Sequence, residues 1–228
     1  MAKEQEKRNE DSVDSSTSQT LRTSMQELSG TEREVIISTN GQPLSLLATF
    51  LIQRACKSPI VANFFYWYLK VETEDEILGQ MFLEIFDTFI VQISTLNEQG
   101  RNVAKRQQAL DEFMKRISGC QVLAREEKGR KDAKEAKLKI LLKEKVQEIP
   151  GGVRSVPMPL DPSINISGLQ PDKTIMFSSA IYPAVLTFDV ASEGEEERRG
   201  APSVCKVIFK SGDDLRQDQL VVQVITKS

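Results

Sequence analysis

The apolar residues of this chain change their spacing at one point, the segment Ile149-Pro150-Gly151-Gly152. Before it, apolar residues recur every three or four positions, which is typical of one face of a helix, as in the set Leu44, Leu47, Ala48, Leu51 and Ile52. After it come short apolar runs at 164–168, 174–177, 184–190 and 204–210, which are typical of strands. The order predicts an α+β chain, with helices first, then antiparallel strands, then a last helix from about Asp213.

Local signals set the expected ends of the helices. Pro59 suits the first turn of the second helix, with Ser58 as its N-cap. A third helix is predicted over about 74–97, with Gly100 as its stop. A fourth begins near Asn102. These helices are expected to pack as consecutive units of a helical repeat.

The stretch 125–145 is dense in Lys, Arg and Glu and carries a thin apolar stripe, Leu138, Leu141, Leu142 and Val146. Gly119 and Gly129 weaken the continuation of the fourth helix into it, because glycine in a helix interior costs up to about 1 kcal/mol. One interpretation is a solvated helix or loop with ion pairs, which the composition favours. The other is a surface for acidic lipid head groups.

Composition divides the chain into four parts. Residues 1–42 are rich in Ser, Thr, Glu, Gln and Asp and are predicted to be a disordered tail, because they bury too little apolar surface to order. Residues 43–149 form the helical domain. Residues 150–163, with Pro157, Pro159 and Pro162, form a linker. Residues 164–228 form the strand-rich domain.

Charge and residue counts exclude several functions. A net charge of −3 gives no general attraction to nucleic acid. No apolar run reaches the roughly 20 residues that span a bilayer, and no secretory signal is present. The cysteines Cys56, Cys120 and Cys205 are expected to be free thiols in a reducing compartment. The chain contains no histidine, which excludes Ser/His and Cys/His catalysis and zinc sites that use imidazole.

One segment combines a strand lysine with acidic residues. Lys210 closes an apolar strand, where a charge needs anionic partners. Ser211 and Gly212 make a turn, and Asp213 or Asp214 caps the next helix. Asp218 on that helix can face back towards the strand, an arrangement that protein kinases use to hold nucleotide phosphates. The alternative is a surface lysine beside an ordinary helix cap, and spacing alone favours it.

Residues 209–218 (FKSGDDLRQD) resemble the lysine segment of phosphatidylinositol 3-kinases. Residues 177–183 (FSSAIYP) resemble the phosphate-binding loop of that family. The resemblance implies that Lys210 contacts the ATP phosphates and that Asp218 orients this lysine. It also implies that Ser178 and Ser179 hold phosphate oxygens. By the same match Ile208 lines the adenine pocket, although core packing explains this residue equally well.

The helical half is similar to the class III, vacuolar-sorting branch of the same family. Residues 50–57 and 62–72 resemble the end of its helical (PIK) domain, and residues 157–162 with 166–169 resemble the entry to its kinase domain. The resemblance covers about 45–224, with weak support between 100 and 150. It implies the end of a PIK domain followed by part of a kinase N-lobe.

The function implied is ATP-dependent phosphorylation of phosphatidylinositol at its 3-hydroxyl with Mg²⁺ or Mn²⁺, in endosomal sorting and autophagy. The implied partners are phosphatidylinositol in membranes, a regulatory pseudokinase scaffold and other subunits of the complex. The implied location is cytoplasmic, peripheral on endosomal and autophagic membranes. The resemblance implies no role with nucleic acid.

The family's catalytic loop, Asp-Arg-His…Asn, and its Asp-Phe-Gly motif are absent from these 228 residues. We therefore expect no catalytic or metal-binding residue here, weak binding of ATP, and an inactive chain when it is tested alone. Residues 225–228 depart from the family pattern and resemble a foreign ending. The alternative is a non-enzymatic truncated isoform that uses residues 44–149 as a helical interaction module.

Overall fold

The computed structural model of the chain describes residues 35–191, 203–213 and 215. The predicted connection at 192–200 lies outside the described residues, as do most of the predicted last helix, including Asp214 and Asp218, and most of the predicted tail. Two compact units are present, one ending at Thr49 and the other beginning at Phe50.

In the first unit, residues 36–44 form a tight turn. The Ser38 N–H donates to the carbonyl oxygen of Gln42 at 2.8 Å, and an antiparallel bridge joins Ile37 to Pro43. Gly41 has a φ of 78°, a left-handed conformation that glycine adopts without steric cost. The turn begins inside the stretch that the composition predicts as tail.

The described residues contain five α-helices: α1 (Leu46–Lys57), α2 (Pro59–Glu72), α3 (Gly79–Leu96), α4 (Glu98–Arg125) and α5 (Lys131–Lys145). Two 3₁₀ turns follow, Pro150–Gly152 and Pro171–Lys173. The predicted start of α2 is confirmed, because the Ser58 side chain accepts a hydrogen bond from the Val61 N–H and Pro59 occupies the first turn. None of the helices in the described part is long and apolar enough to cross a membrane.

The expected helix stop at Gly100 is wrong. Helix α4 begins at Glu98, and the Asn97 side chain caps it by accepting the Gly100 N–H at 2.8 Å. A Cβ at Gly100 would lie 2.1 Å from the carbonyl oxygen of Ile93, so glycine is required here by the close approach of α3. The helix also continues through Gly119 to Arg125 without interruption.

The sheet has five described strands: β1 (Val156–Pro157), β2 (Asn165–Leu169), β3 (Ile175–Met176), β4 (Ala184–Val190) and β5 (Val204–Phe209). All pairings are antiparallel, and β4 pairs with β2, β3 and β5. The bounds of β4 match the prediction, and the other predicted strands differ by a few residues. Strand β1 lies within the stretch that was predicted as a linker, and Val156 is fully buried there.

Helices α4 and α5 cover the sheet and share its core. Phe113 of α4 and Phe188 of β4 are buried with their ring centroids 6.4 Å apart. The thin apolar stripe of α5 contributes Leu138, Leu141 and Leu142 to the same core. The stretch interpreted as a solvated helix is therefore half of the layer that covers the sheet, and only its outer face is solvated.

Candidate functional site

Two segments meet at one end of the sheet. We call residues 177–183, between β3 and β4, the serine loop, and residues 210–213, after β5, the lysine turn. Strands β4 and β5 are antiparallel, and Ala184 pairs with Phe209. The end of the serine loop and the start of the lysine turn are therefore neighbours.

The two serine side chains of the serine loop are exposed to solvent. The Phe177 N–H donates to the carbonyl oxygen of Pro183 at 2.8 Å, which closes the base of the loop. Ser178 and Ser179 are both exposed. Their hydroxyls are therefore accessible to a ligand from solvent.

The lysine turn carries the positive charge of the Lys210 side chain. Lys210 directly follows β5, and its Nζ lies 3.5 Å from Oδ2 of Asp213. The Lys210 side chain is 25% exposed, so its charge is only partly screened by solvent. Gly212 has a φ of 73°, which allows the chain to turn immediately after Ser211. Asp218, the predicted partner of Lys210, lies outside the described residues, so its role stays a prediction.

Ile208 lies on the outer face of the sheet. Its side chain is 60% exposed, so core packing does not account for it. It pairs with Val185, which in turn pairs with Ile175, and residues directly opposite in neighbouring strands share a face. Ile175, Val185 and Ile208 therefore form an aliphatic row across three strands, and Ile208 lies two residues before Lys210.

Gln121 of α4 contacts both segments from below. Its Nε2 donates to the carbonyl oxygen of Tyr182 at 2.9 Å and to that of Phe209 at 3.4 Å. Its Oε1 accepts the Ser211 N–H at 3.0 Å. The side chain is buried, so these backbone groups take the place of water around the amide.

Arg125, one turn further along α4, makes a second link between the same segments. Its Nη1 donates to the carbonyl oxygen of Ser211 at 3.1 Å and to that of Ile181 at 3.4 Å. Ser118 adds a contact to the lysine turn, because its hydroxyl lies 2.5 Å from the Ser211 hydroxyl. One face of α4 thus contacts both segments.

Tyr182 has a φ of 46°, a left-handed conformation that is uncommon for a bulky residue. The Nζ of Lys134 lies 5.2 Å from the centre of the Tyr182 ring, a cation–π contact. The same ammonium donates to the carbonyl oxygens of Arg125 and Glu127 at the end of α4. Lys134 thereby ties the tyrosine to the helix end.

Glu135 of α5 anchors the strand that leads into the serine loop. One carboxylate oxygen accepts the Met176 N–H at 2.9 Å, and the other accepts from Lys139 at 2.8 Å. Burial disfavours the charged carboxylate, but these two hydrogen bonds, together with the charges of Lys139 and Lys131, outweigh burial. Together they lower the pKa of Glu135 below its usual value.

Sequence reasoning missed Gln121, Arg125 and Lys134. Gln121 did carry a signal, because it falls in phase with Phe113 and Ile117 on the apolar face of α4, where a polar residue needs a buried partner. Arg125 and Lys134 looked like other members of a charged stretch.

A metal site is not evident in the described part of the chain, which contains no group of three or more His, Cys, Asp and Glu side chains placed to hold an ion. A separate open depression of about 520 Å³ is lined by residues that include Arg116, Lys145 and Ser167. None of the predicted site residues lines it.

Residues 42–102 match the phosphoinositide 3-kinase family accessory domain (PIK domain). The chain is 36% identical over 182 residues to phosphatidylinositol 3-kinase pik3 of Schizosaccharomyces pombe, covering 80% of this chain and 21% of that protein. It is 34% identical over 203 residues to phosphatidylinositol 3-kinase VPS34 of Saccharomyces cerevisiae, covering 88% and 20%. It is 31% identical over 217 residues to phosphatidylinositol 3-kinase catalytic subunit type 3 of Caenorhabditis elegans, covering 89% and 23%. The chain thus spans about a fifth of the length of these relatives.

Proposed function

Because this chain belongs to the class III branch of the phosphatidylinositol 3-kinase family, we propose that it supplies part of the ATP site of a lipid kinase. The reaction is transfer of the γ-phosphate of ATP to the 3-hydroxyl of phosphatidylinositol. The serine loop and the lysine turn bind the phosphates of ATP.

The observation that carries this proposal is the pairing of Ala184 with Phe209, which makes the two segments neighbours. A phosphate chain needs a fixed positive charge and several hydrogen-bond donors on one side of it. Lys210 supplies the charge, and the hydroxyls of Ser178 and Ser179 supply donors. Asp218 is proposed to orient Lys210, alongside the ion pair with Asp213.

The aliphatic row of Ile175, Val185 and Ile208 supports a place for the adenine ring. The row is solvent-facing, with Ile175 51% and Ile208 60% exposed, and Ile208 lies two residues before Lys210. Small-molecule sites pair an apolar surface with a few polar groups, and this arrangement has both. ATP would be held here with Mg²⁺ or Mn²⁺, which supplies charge neutralisation on the phosphates when it is bound.

The 228 residues contain no histidine, so the family's Asp-Arg-His loop is not among them. We propose that these residues alone transfer no phosphate and bind ATP weakly at most. The longer kinase is proposed to act in endosomal sorting and autophagy, on the cytoplasmic face of those membranes. There it would work with a regulatory pseudokinase scaffold and other subunits.

The test is a phosphatidylinositol kinase assay on the longest gene product that carries this sequence. Lys210→Met should lower kcat/KM by about 100-fold or more, because the substitution removes the positive charge that contacts the ATP phosphates. Lys206→Met is the matched control, since Lys206 is an exposed lysine of β5, four residues before Lys210. The control should keep activity within about twofold. Equal activity of Lys210→Met and wild type would refute the role of this lysine.

The second candidate function, a helical interaction module over 44–149, is favoured by one observation. Helices α2 and α3 and the turn between them leave large apolar side chains in solvent, including Phe64 at 49% exposed, Tyr68 at 54% and Ile77 at 88%. Such a surface is typical of protein contacts. Co-elution of the purified chain with the pseudokinase scaffold, without any lipid kinase activity in the longest product, would favour the module over the enzyme. Activity in that product would favour the enzyme.

A further inference from the structure

We propose that Gln121 and Arg125 of helix α4 are positioning residues that set the separation between the serine loop and the lysine turn. The two side chains lie one turn apart on one face of α4. Gln121 donates to the serine loop and accepts from the lysine turn, and Arg125 donates to both segments. The consequence for ATP rests on the proposed function above, whereas the mechanical link does not.

The sheet by itself does not extend into the site. The paired register of β4 and β5 ends at Ala184 and Phe209. The serine loop and the lysine turn continue beyond this pair, where the ladder no longer fixes their separation. A further bridge is therefore needed, and α4 provides it.

The orientation of the Gln121 amide is fixed by its partners. Its nitrogen faces two carbonyl oxygens, from Tyr182 and Phe209, while its oxygen faces the Ser211 N–H. Rotating the amide by half a turn would set oxygen against oxygen and nitrogen against N–H. Because the side chain is only 1% exposed, water does not relieve such a mismatch. Gln121 therefore holds the serine loop and the lysine turn at one separation.

The strained residue of the serine loop also depends on contacts from α4 and α5. Tyr182 has a φ of 46°, and a side chain of its size is rarely stable there without surrounding support. That support comes from the hydrogen bond that Gln121 makes to its carbonyl oxygen and from the Lys134 ammonium over its ring. When the support is lost, the loop is expected to relax and to carry Ser178 and Ser179 away from Lys210.

The first experiment measures amide hydrogen–deuterium exchange, residue by residue, in the full 228-residue chain. Gln121→Met keeps the length of the side chain but removes its donor and acceptor. We expect exchange about tenfold faster at the amides of both Tyr182 and Ser211, because each segment loses a hydrogen bond. Exchange at Leu186, in the middle of β4, should not change.

The matched control is Arg106→Met. Arg106 also lies on α4 and also donates to a backbone carbonyl, that of Ser155, at 3.0 Å, but it does so beside β1. It should leave exchange at Tyr182 and Ser211 as in wild type. Equal acceleration by Arg106→Met and Gln121→Met would overturn the proposal, because it would show general loosening of the helix.

A second variant separates positioning from loss of folding. Gln121→Glu keeps an oxygen that accepts the Ser211 N–H. It replaces the amide nitrogen that donates to the Tyr182 carbonyl with a second oxygen. We expect faster exchange at Tyr182 with Ser211 still protected. Arg125→Lys, which keeps the charge but loses the planar fork, should accelerate both sites by about threefold or less. Unchanged exchange in all three variants would overturn the proposal.

The last readout uses the longest gene product in the kinase assay. Gln121→Met should raise the KM for ATP by about tenfold while the KM for the lipid stays the same, because only the phosphate-binding segments move apart. Faster exchange with an unchanged KM for ATP would overturn the positioning role in catalysis. If instead Lys210→Met has no effect on activity, the proposed function fails, and the exchange experiment still decides whether α4 couples the two segments.

Discussion

Helix α4 and the sheet are expected to unfold together, because Phe113 and Phe188 lie in one core. The prediction concerns Phe113→Leu, Phe188→Leu and the double variant. Leucine keeps part of the buried apolar surface and leaves the backbone unchanged. The three variants therefore test whether the core is shared without emptying it.

The structure sets the magnitudes. The two rings are 0% and 1% exposed, so each substitution loses a fully buried group. Truncation of a buried Phe to Ala costs about 3 to 5 kcal/mol, and leucine should cost about 1 to 2.5 kcal/mol. The centroid distance of 6.4 Å lies near the outer end of the range for aromatic pairs. We therefore expect a coupling of about 0.5 to 1 kcal/mol, so that the double variant loses less than the sum of the two.

The assay is urea unfolding of the 228-residue chain. Trp67 is the single tryptophan and packs against the core, so its fluorescence reports on that core from α2. Amide exchange at Leu186 reports on the sheet. Phe188→Leu should lower two free energies by the same amount. One is the free energy of unfolding from the fluorescence transition, and the other is the free energy of opening from amide exchange at Leu186. Phe64→Leu, at a position that is 49% exposed, should change stability by about 0.5 kcal/mol or less.

If Phe188→Leu lowers the protection of Leu186 and leaves the Trp67 transition unchanged, α4 and the sheet do not unfold together. In that case the helices and the sheet would form separate cooperative units. Strict additivity of the two substitutions would contradict the direct contact of the rings.

Local signals in the sequence predicted the parts of the fold that depend on near neighbours. The start of α2 followed from Ser58 and Pro59, since a cap and a first-turn proline act within one turn of helix. Strand β4 followed from a run of apolar residues bounded by turn residues.

Signals with two meanings misled the prediction. A glycine such as Gly100 marks either a helix end or a close approach of two helices, and only the packing against Ile93 decides between them. A proline such as Pro157 fits a linker, but it also fits an edge strand, which is where β1 lies. The buried side of α5 was hard to recognise in the sequence, because only three leucines of this charged helix reach the core that it shares with α4 and the sheet.

The candidate site likewise contains residues that the sequence indicated and residues that only the packing revealed. Lys210, Ser178 and Ser179 belong to contiguous motifs and were therefore visible in the sequence. Gln121 and Arg125 bond to backbone groups that are 56 to 90 positions away. Backbone partners leave no trace in residue identity, so a polar residue on an apolar helix face was the only available sign of Gln121.

Three further substitutions test individual positions. Gly119→Ala should stabilise the chain by about 0.5 to 1 kcal/mol, since nothing lies within 4 Å of the added Cβ. Gly100→Ala should destabilise the chain, because the new Cβ meets the Ile93 carbonyl oxygen. The urea unfolding midpoints of the two glycine variants, each compared with wild type, test both predictions. Glu135→Gln should be less stable than wild type at pH 7. The folded-state pKa of Glu135 lies below its usual value of 4.5, so its contribution is complete above that value and is lost as pH falls through the folded pKa. The difference in urea midpoint between Glu135→Gln and wild type should therefore narrow from pH 7 to pH 3, and a constant difference would show that the Glu135 charge does not stabilise the strand that leads into the serine loop.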